Sequence, residues 1–375
     1  MKDKVKSGLS RIWLLIRLTR ITTIVYLLMV TVLFAYMFGV AFSGYSFKVM
    51  YSSGARSLFG VIAMLLGCVA GTVSVFRFGK SKKGDLLRLI PESSTATFVT
   101  VSICEFIKAL TVSVTGFVSA LIIIAVNGDT SGGDIRYFFV LLAEYVCYLI
   151  LYFSVGAFFA SISGRVITAV LGCASYYLGI GLICYAVMGL NPYLPIESSG
   201  FLSFICASFI YNAPIFTLFY YGMEGVGDIL ALPERYISTF NGVLNVFGML
   251  FSAAVFYLIA VYVFRYRKVE RLGEPYCFSF VAPVITSILT VECYFLVLIS
   301  PLSGLDKALE RVKIVFQGGK RFPGTKYAIV FFVAFIIFSA LTNCSSRGAF
   351  KYLKLLPTLA LATYIFQFAW LGGWV

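Results

Sequence analysis

Residues 77–94 read Arg-Phe-Gly-Lys-Ser-Lys-Lys-Gly-Asp-Leu-Leu-Arg-Leu-Ile-Pro-Glu-Ser-Ser, and they are the most polar stretch of a chain that is otherwise apolar. They carry five of the thirty basic residues and separate two long apolar runs. Within them, Gly84, Asp85, Leu86, Leu87, Arg88, Leu89, Ile90 and Pro91 have the pattern of a short helix. A carboxylate at Asp85 favours a helix N-terminus, and Pro91 stops further helix. Leu86, Leu87, Leu89 and Ile90 give this helix an apolar face, with Arg88 opposite. Such a helix can lie on lipid headgroups or plug into a cytosolic partner; a partner is the expectation adopted here.

The flanking runs set the class. Apolar residues make up 60% of the 375 positions and charged residues only 12%, with a mean hydropathy of +0.95. A soluble globule carries roughly a quarter charged residues. Several uncharged runs of about 20 residues are long enough to cross a bilayer, and they lack the alternation of a membrane β-barrel. The expected fold is therefore all-α, a polytopic helical membrane protein. The net charge of +14 fits Lys and Arg held beside anionic lipid. Nucleic acid is not an expected partner, because no soluble domain is present to carry a binding groove. Nine cysteines stand singly, without a C-x-x-C pair, and histidine is absent. That removes the His-dependent zinc and nucleophile motifs and His-ligated haem, so no metal site or cofactor is expected.

Taken in order, residues 1–20 hold Lys2, Lys4, Lys6, Arg11, Arg17 and Arg20, with Leu9, Ile12, Trp13 and Ile16 at helical spacing. They suit an amphipathic helix on the inner leaflet, which places the N-terminus in the cytoplasm. Spans are expected at 21–42, 57–76, 98–126, 137–161, 166–190 and 236–264, then at 283–300, 327–342 and 356–374. Gly67-x-x-x-Gly71 in the second span is a small-residue motif that permits close helix contact. Residues 198–223 are long enough to cross, but Asn212-Ala213-Pro214 breaks them, which fits two half-helices entering and leaving on one side. Loop bases divide nineteen inside to ten outside both with 198–223 re-entrant, which gives nine spans, and with it crossing, which gives ten. If it is re-entrant and the seventh span does not cross, they divide twenty-two to seven.

Four ionisable residues fall inside these spans. Glu105 and Lys108 are three apart, on one helix face, and can neutralise each other. Glu144 and Glu292 have no partner readable from the sequence; each could hold a proton, pair across helices or face a polar cavity. Gly318-Gly319-Lys320 is not a phosphate-binding loop, since Ile314 stands where the leading glycine is required.

The order of these elements resembles the ABC-2 type exporter permease (a type V ABC exporter membrane subunit), in a Gram-positive subfamily with extra C-terminal spans. By that resemblance, 1–20 is the elbow helix and 21–265 a six-span core. Within the core, 77–94 is the coupling loop and 198–223 the extracellular re-entrant hairpin. Residues 266–282 form a basic cytoplasmic loop, and 283–375 hold about three further spans. The run from Lys83 to Pro91 looks like the family's coupling stretch, with an acid, paired leucines and a closing proline. Glu92-Ser93-Ser94 lacks the base that often follows. Arg267-Lys268-Val269-Glu270-Arg271-Leu272-Gly273 resembles the segment after span six, with Glu270 and Gly273 as a second cytoplasmic contact.

The resemblance implies a subunit that is no enzyme itself. Gly84, Asp85, Leu86, Leu87, Arg88, Leu89 and Pro91 would seat on a cytosolic ABC ATPase, and a second permease would complete a homodimer or heterodimer in the cell membrane. The alternative from the residues is a proton-coupled secondary transporter using Glu105, Glu144 or Glu292. A membrane-bound transferase is a third class, disfavoured by the lack of general acid–base groups.

Overall fold

The computed structural model of the chain describes residues 23–28, 55–77, 94–126, 132–177, 239–266, 276, 278, 280–299, 325–343, 350, 352–361 and 363. Almost all of these are helical. No strand forms among them, and the one extended pairing is an isolated bridge between Ser163 and Tyr276. A helical stretch at 23–28 precedes α1 (Ala55–Phe76), α2 (Ser94–Val126), α3 (Gly132–Ile162) and α4 (Val166–Tyr177). Then follow α5 (Thr239–Tyr266), α6 (Val281–Ile299) and α7 (Thr325–Asn343), with a 3-10 turn at Leu353–Leu355.

These segments are helical because nothing in them breaks a helix and their backbones need internal partners. Proline is absent from α1, α2, α3, α5 and α7, and Pro283 of α6 sits in the first turn, where its missing N–H is harmless. Hydroxyls inside the apolar runs donate to their own helix: Thr100 to the carbonyl of Ala96 at 2.9 Å, Ser154 to Ile150 at 2.9 Å and Thr290 to Thr286 at 2.7 Å. Three stretches are long and apolar enough to cross a membrane: Thr95–Ser119 in α2, Leu142–Ile162 in α3 and Phe247–Tyr266 in α5. Helices α1, α4, α6 and α7 contribute shorter apolar stretches.

The chain divides into two compact units, Met1–Ile162 with Gly200–Leu272, and Ser163–Ser199 with Gly273–Val375. In the first, α3 is the central element, packed on α1 and α5. Gly67 and Gly71 make the contact with α1. A Cβ on Gly71 would run into the backbone of Phe153 and Ala157, and one on Gly67 would sit 2.9 Å from the amide nitrogen of Phe153. Gly156 answers from α3, where a Cβ would meet the Cys68 carbonyl oxygen at 2.6 Å. The small-residue motif of α1 is thus a true backbone seam, and the rising residue numbers on both sides show that α1 and α3 run parallel.

Helix α2 runs the other way. Its Phe106 meets Phe153, its Ser113 hydroxyl lies 3.0 Å from the Tyr145 hydroxyl, and its Phe117 packs edge-on against Phe138. Phe98 of α2 stacks on Phe264 near the basic end of α5, with ring centroids 4.5 Å apart. Tyr26, from 23–28, is fully buried with Ile62, Leu66, Ala109 and Leu149 in the same apolar core.

In the second unit α6 packs on α7. The Thr286 and Thr342 hydroxyls are 2.7 Å apart, and Tyr294 meets Phe331 edge-on. The Tyr276 hydroxyl donates to the Thr168 carbonyl at 3.4 Å, tying α4 to the segment before α6. Residues 163–199 therefore group with the C-terminal part of the chain, although their sequence position is in the middle of the six-span run.

Candidate functional site

Glu105 is the most heavily engaged ionisable group among the described residues. Its place on α2 puts Lys108 one turn on, on the same face. The Lys108 ammonium donates to Glu105 Oε1 at 2.9 Å, as the spacing predicts. Two further groups join them. Arg77, in the turn that closes α1, brings a guanidinium nitrogen to 2.7 Å from the same oxygen. Tyr26 donates its hydroxyl to Glu105 Oε2 at 2.7 Å. The expected pair is therefore a cluster of four residues drawn from three segments.

The cluster is sealed. The side chain of Glu105 is 1% exposed and that of Lys108 5%, while Arg77 at 16% stands at the edge. Burial lowers the affinity of the Arg77 guanidinium for its proton, and the charge of Glu105 opposes that effect. The guanidinium stays charged in any case. Two cations share one carboxylate, so the group carries one excess positive charge. A buried ion pair of this kind adds little net stability, yet removing one member is costly. Its geometry suits holding segments together; among the described residues no group of His, Cys, Asp and Glu could hold a metal ion.

The position of the cluster matters more than its strength. Arg77 and Ser94 are the two ends of the polar stretch 77–94. Below that stretch, the Ser102 hydroxyl of α2 lies 3.4 Å from the Ser74 hydroxyl of α1, and Arg77 reaches back along α2 to Glu105. Both helices that carry the stretch are thus fastened to each other at its base. Gly84, Asp85, Leu86, Leu87, Arg88, Leu89 and Pro91 lie outside the described residues. So do Glu270, Gly273, the segment 1–20 and the segment 198–223.

The other two carboxylates are placed differently. Glu144 is half-buried on α3. Glu292 on α6 is 1% exposed, and neither of its oxygens has a hydrogen-bond partner. Sequence reasoning missed Tyr26 and took Arg77 only as the end of a span. The position of Arg77, one residue past an apolar run, was a signal that its side chain could turn back toward an intramembrane acid.

No known protein family, no curated protein and no solved structure matches the chain.

Proposed function

We propose that the chain is the transmembrane permease subunit of an ATP-binding cassette exporter, moving its substrate outward with energy from ATP hydrolysed by a separate subunit. In this proposal the chain lies in the cell membrane with its N-terminus in the cytoplasm and has no catalytic residues of its own. It pairs with a second permease and seats residues 84–91 on a cytosolic ATPase. The observation that carries the proposal is the fastened base of the polar stretch 77–94.

A cytosolic motor can push a membrane helix only if the push is not absorbed in the loop. With α1 and α2 joined through Arg77–Glu105 and Ser74–Ser102, a displacement of 78–93 moves both helices together. The Gly67–Gly71 seam passes the displacement on to α3 without a compressible layer of side chains. Rigid-body motions of packed helices are the usual form of such transitions.

The test is purification of the full chain with the products of its neighbouring genes. An ATPase should travel with the wild-type chain and be lost from Leu87→Glu and Leu89→Glu variants that still insert and unfold at the wild-type temperature. Retention of the ATPase by both variants, or its absence from the wild-type preparation, would remove the coupling role.

A further inference from the structure

Glu292 lies past the middle of α6, on the face it shares with the buried Ile285 and Leu289, while Thr286 and Tyr294 meet Thr342 and Phe331 of α7 from another face. Both carboxyl oxygens are shut off from solvent and have no hydrogen-bond partner. Among the described residues, α4, α6 and α7 place no base within a hydrogen bond of it. Helix α6 carries Glu292, Cys293 and Tyr294 as its titratable residues, and α4 carries Cys173, Tyr176 and Tyr177. Helix α7 carries Lys326 and Tyr327, both in its first turn. The hydroxyl protons of the α6–α7 seam are already committed. Thr286 donates to Ala282, Thr290 to Thr286 and Thr342 to Phe338.

Three states of the carboxyl can be weighed. A bare carboxylate here would cost several kcal/mol, with no partner to offset it. A metal or alkali ion would need several further oxygen ligands, and no acid, His or Cys cluster among the described residues supplies them. A neutral acid leaves one hydroxyl unsatisfied, which costs only about 1–3 kcal/mol.

We propose that Glu292 is the proton-binding site of the second unit, a carboxyl that stays closed between α6 and its neighbours while it holds a proton. Release of that proton puts a charge into an apolar environment, so it requires the packing around Glu292 to open far enough for water to reach the carboxylate. The site lies in a different unit from the 77–94 stretch and does not depend on the export reading.

The full-length chain in detergent micelles can be tested with dicyclohexylcarbodiimide, an apolar reagent that attacks buried carboxylic acids. The acid proton passes to a carbodiimide nitrogen as the carboxyl oxygen adds to the central carbon, and rearrangement leaves a stable acylurea detectable by mass. The expected result is an adduct on Glu292 that weakens as pH is raised and is unaffected by sodium or lithium salts. Protection by either salt would show an alkali-ion site and overturn the proposal. Absence of the adduct at every pH, with labelling restored in denatured chain, would show a carboxylate held by a partner and overturn it equally.

Thermal unfolding gives an independent readout. The folded wild-type chain retains a proton that an unfolded glutamate releases above about pH 4.3, so its Tm should fall with rising pH relative to Glu292→Gln. Parallel profiles for the two proteins would contradict proton binding. Should the glutamine variant not fold, the labelling of the wild-type chain decides alone.

Discussion

Glu105 and Glu292 are the same residue, equally buried at 1% exposure, each inside an apolar helix, and the two units treat them in opposite ways. Around Glu105 the first unit assembles Lys108 from the same helix, Arg77 from the end of α1 and Tyr26 from 23–28. Around Glu292, among the described residues of the second unit, no group reaches either carboxyl oxygen with a hydrogen bond. Burial by itself therefore does not decide what an acid inside an apolar helix does; the groups facing it do. In the first unit the acid is a fastener that joins three segments under a polar loop. In the second no hydrogen bond ties the acid to a neighbour, and the ligand proposed for it is a proton.

Removing the fastener should be the most damaging change. Glu105→Ala removes the carboxylate that Arg77 and Lys108 share and should cost about 3–5 kcal/mol of stability. Unfolding of the purified protein in micelles measures it as a large drop in Tm. Arg77→Gln should cost clearly less, since Lys108 still pairs with the acid. Equal losses from the two variants would mean that the carboxylate is not the centre of the cluster.

Next in size is Gly71→Ala. The new methyl group would meet the backbone of Phe153 and Ala157 rather than a side chain able to move aside. Overpacking against such neighbours should cost about 3 kcal/mol. Because α1 also delivers Arg77 to Glu105, the shift should weaken the cluster. Gly71→Ala and Arg77→Gln should then combine to less than the sum of their separate losses. Strict additivity would show that the seam and the cluster act independently.

How much of this contrast could be read from the chain depended on sequence distance. Glu105 and Lys108 were legible because three residues on a helix fix a common face. Tyr26 was not, since 79 residues separate it from Glu105 and only the packing of 23–28 on α1 and α2 brings the hydroxyl in. Gly67 and Gly71 were legible as a motif that allows contact; whether contact forms depends on Gly156, which no spacing rule links to them. Glu292 stood out as an acid in an apolar run, but its lack of a hydrogen-bond partner is a property of the tertiary packing, which spacing along one helix does not give. The helical class was the most legible feature, because apolar runs free of proline leave the backbone no other way to satisfy itself. The grouping of 163–199 with the C-terminal part was the least, resting on single contacts such as Tyr276 with Ser163 and Thr168.

Tyr26→Phe is a gentler probe of the same cluster. It removes one hydrogen bond to a charged acceptor and leaves both cations on the other carboxylate oxygen. A loss of about 1.5 kcal/mol is expected, measured as a modest fall in Tm. A loss as large as that of Glu105→Ala would make the tyrosine, rather than the ion pairs, the main tie of 23–28 to the bundle.

The smallest effect, and the only one of opposite sign, should come from Glu292→Leu. Where a buried charge is paired, its removal strands the partner; where no partner exists, an apolar side chain of similar size replaces a polar group that the packing never satisfied. The variant should therefore match the wild type to within about 1 kcal/mol or exceed it, and its advantage should grow as pH rises and proton loss begins to burden the wild-type chain. Unfolding of both proteins across the same pH series measures it. A loss approaching that of Glu105→Ala would show that Glu292 is held by an ionic partner of its own, and the two units would then differ in sequence but not in principle.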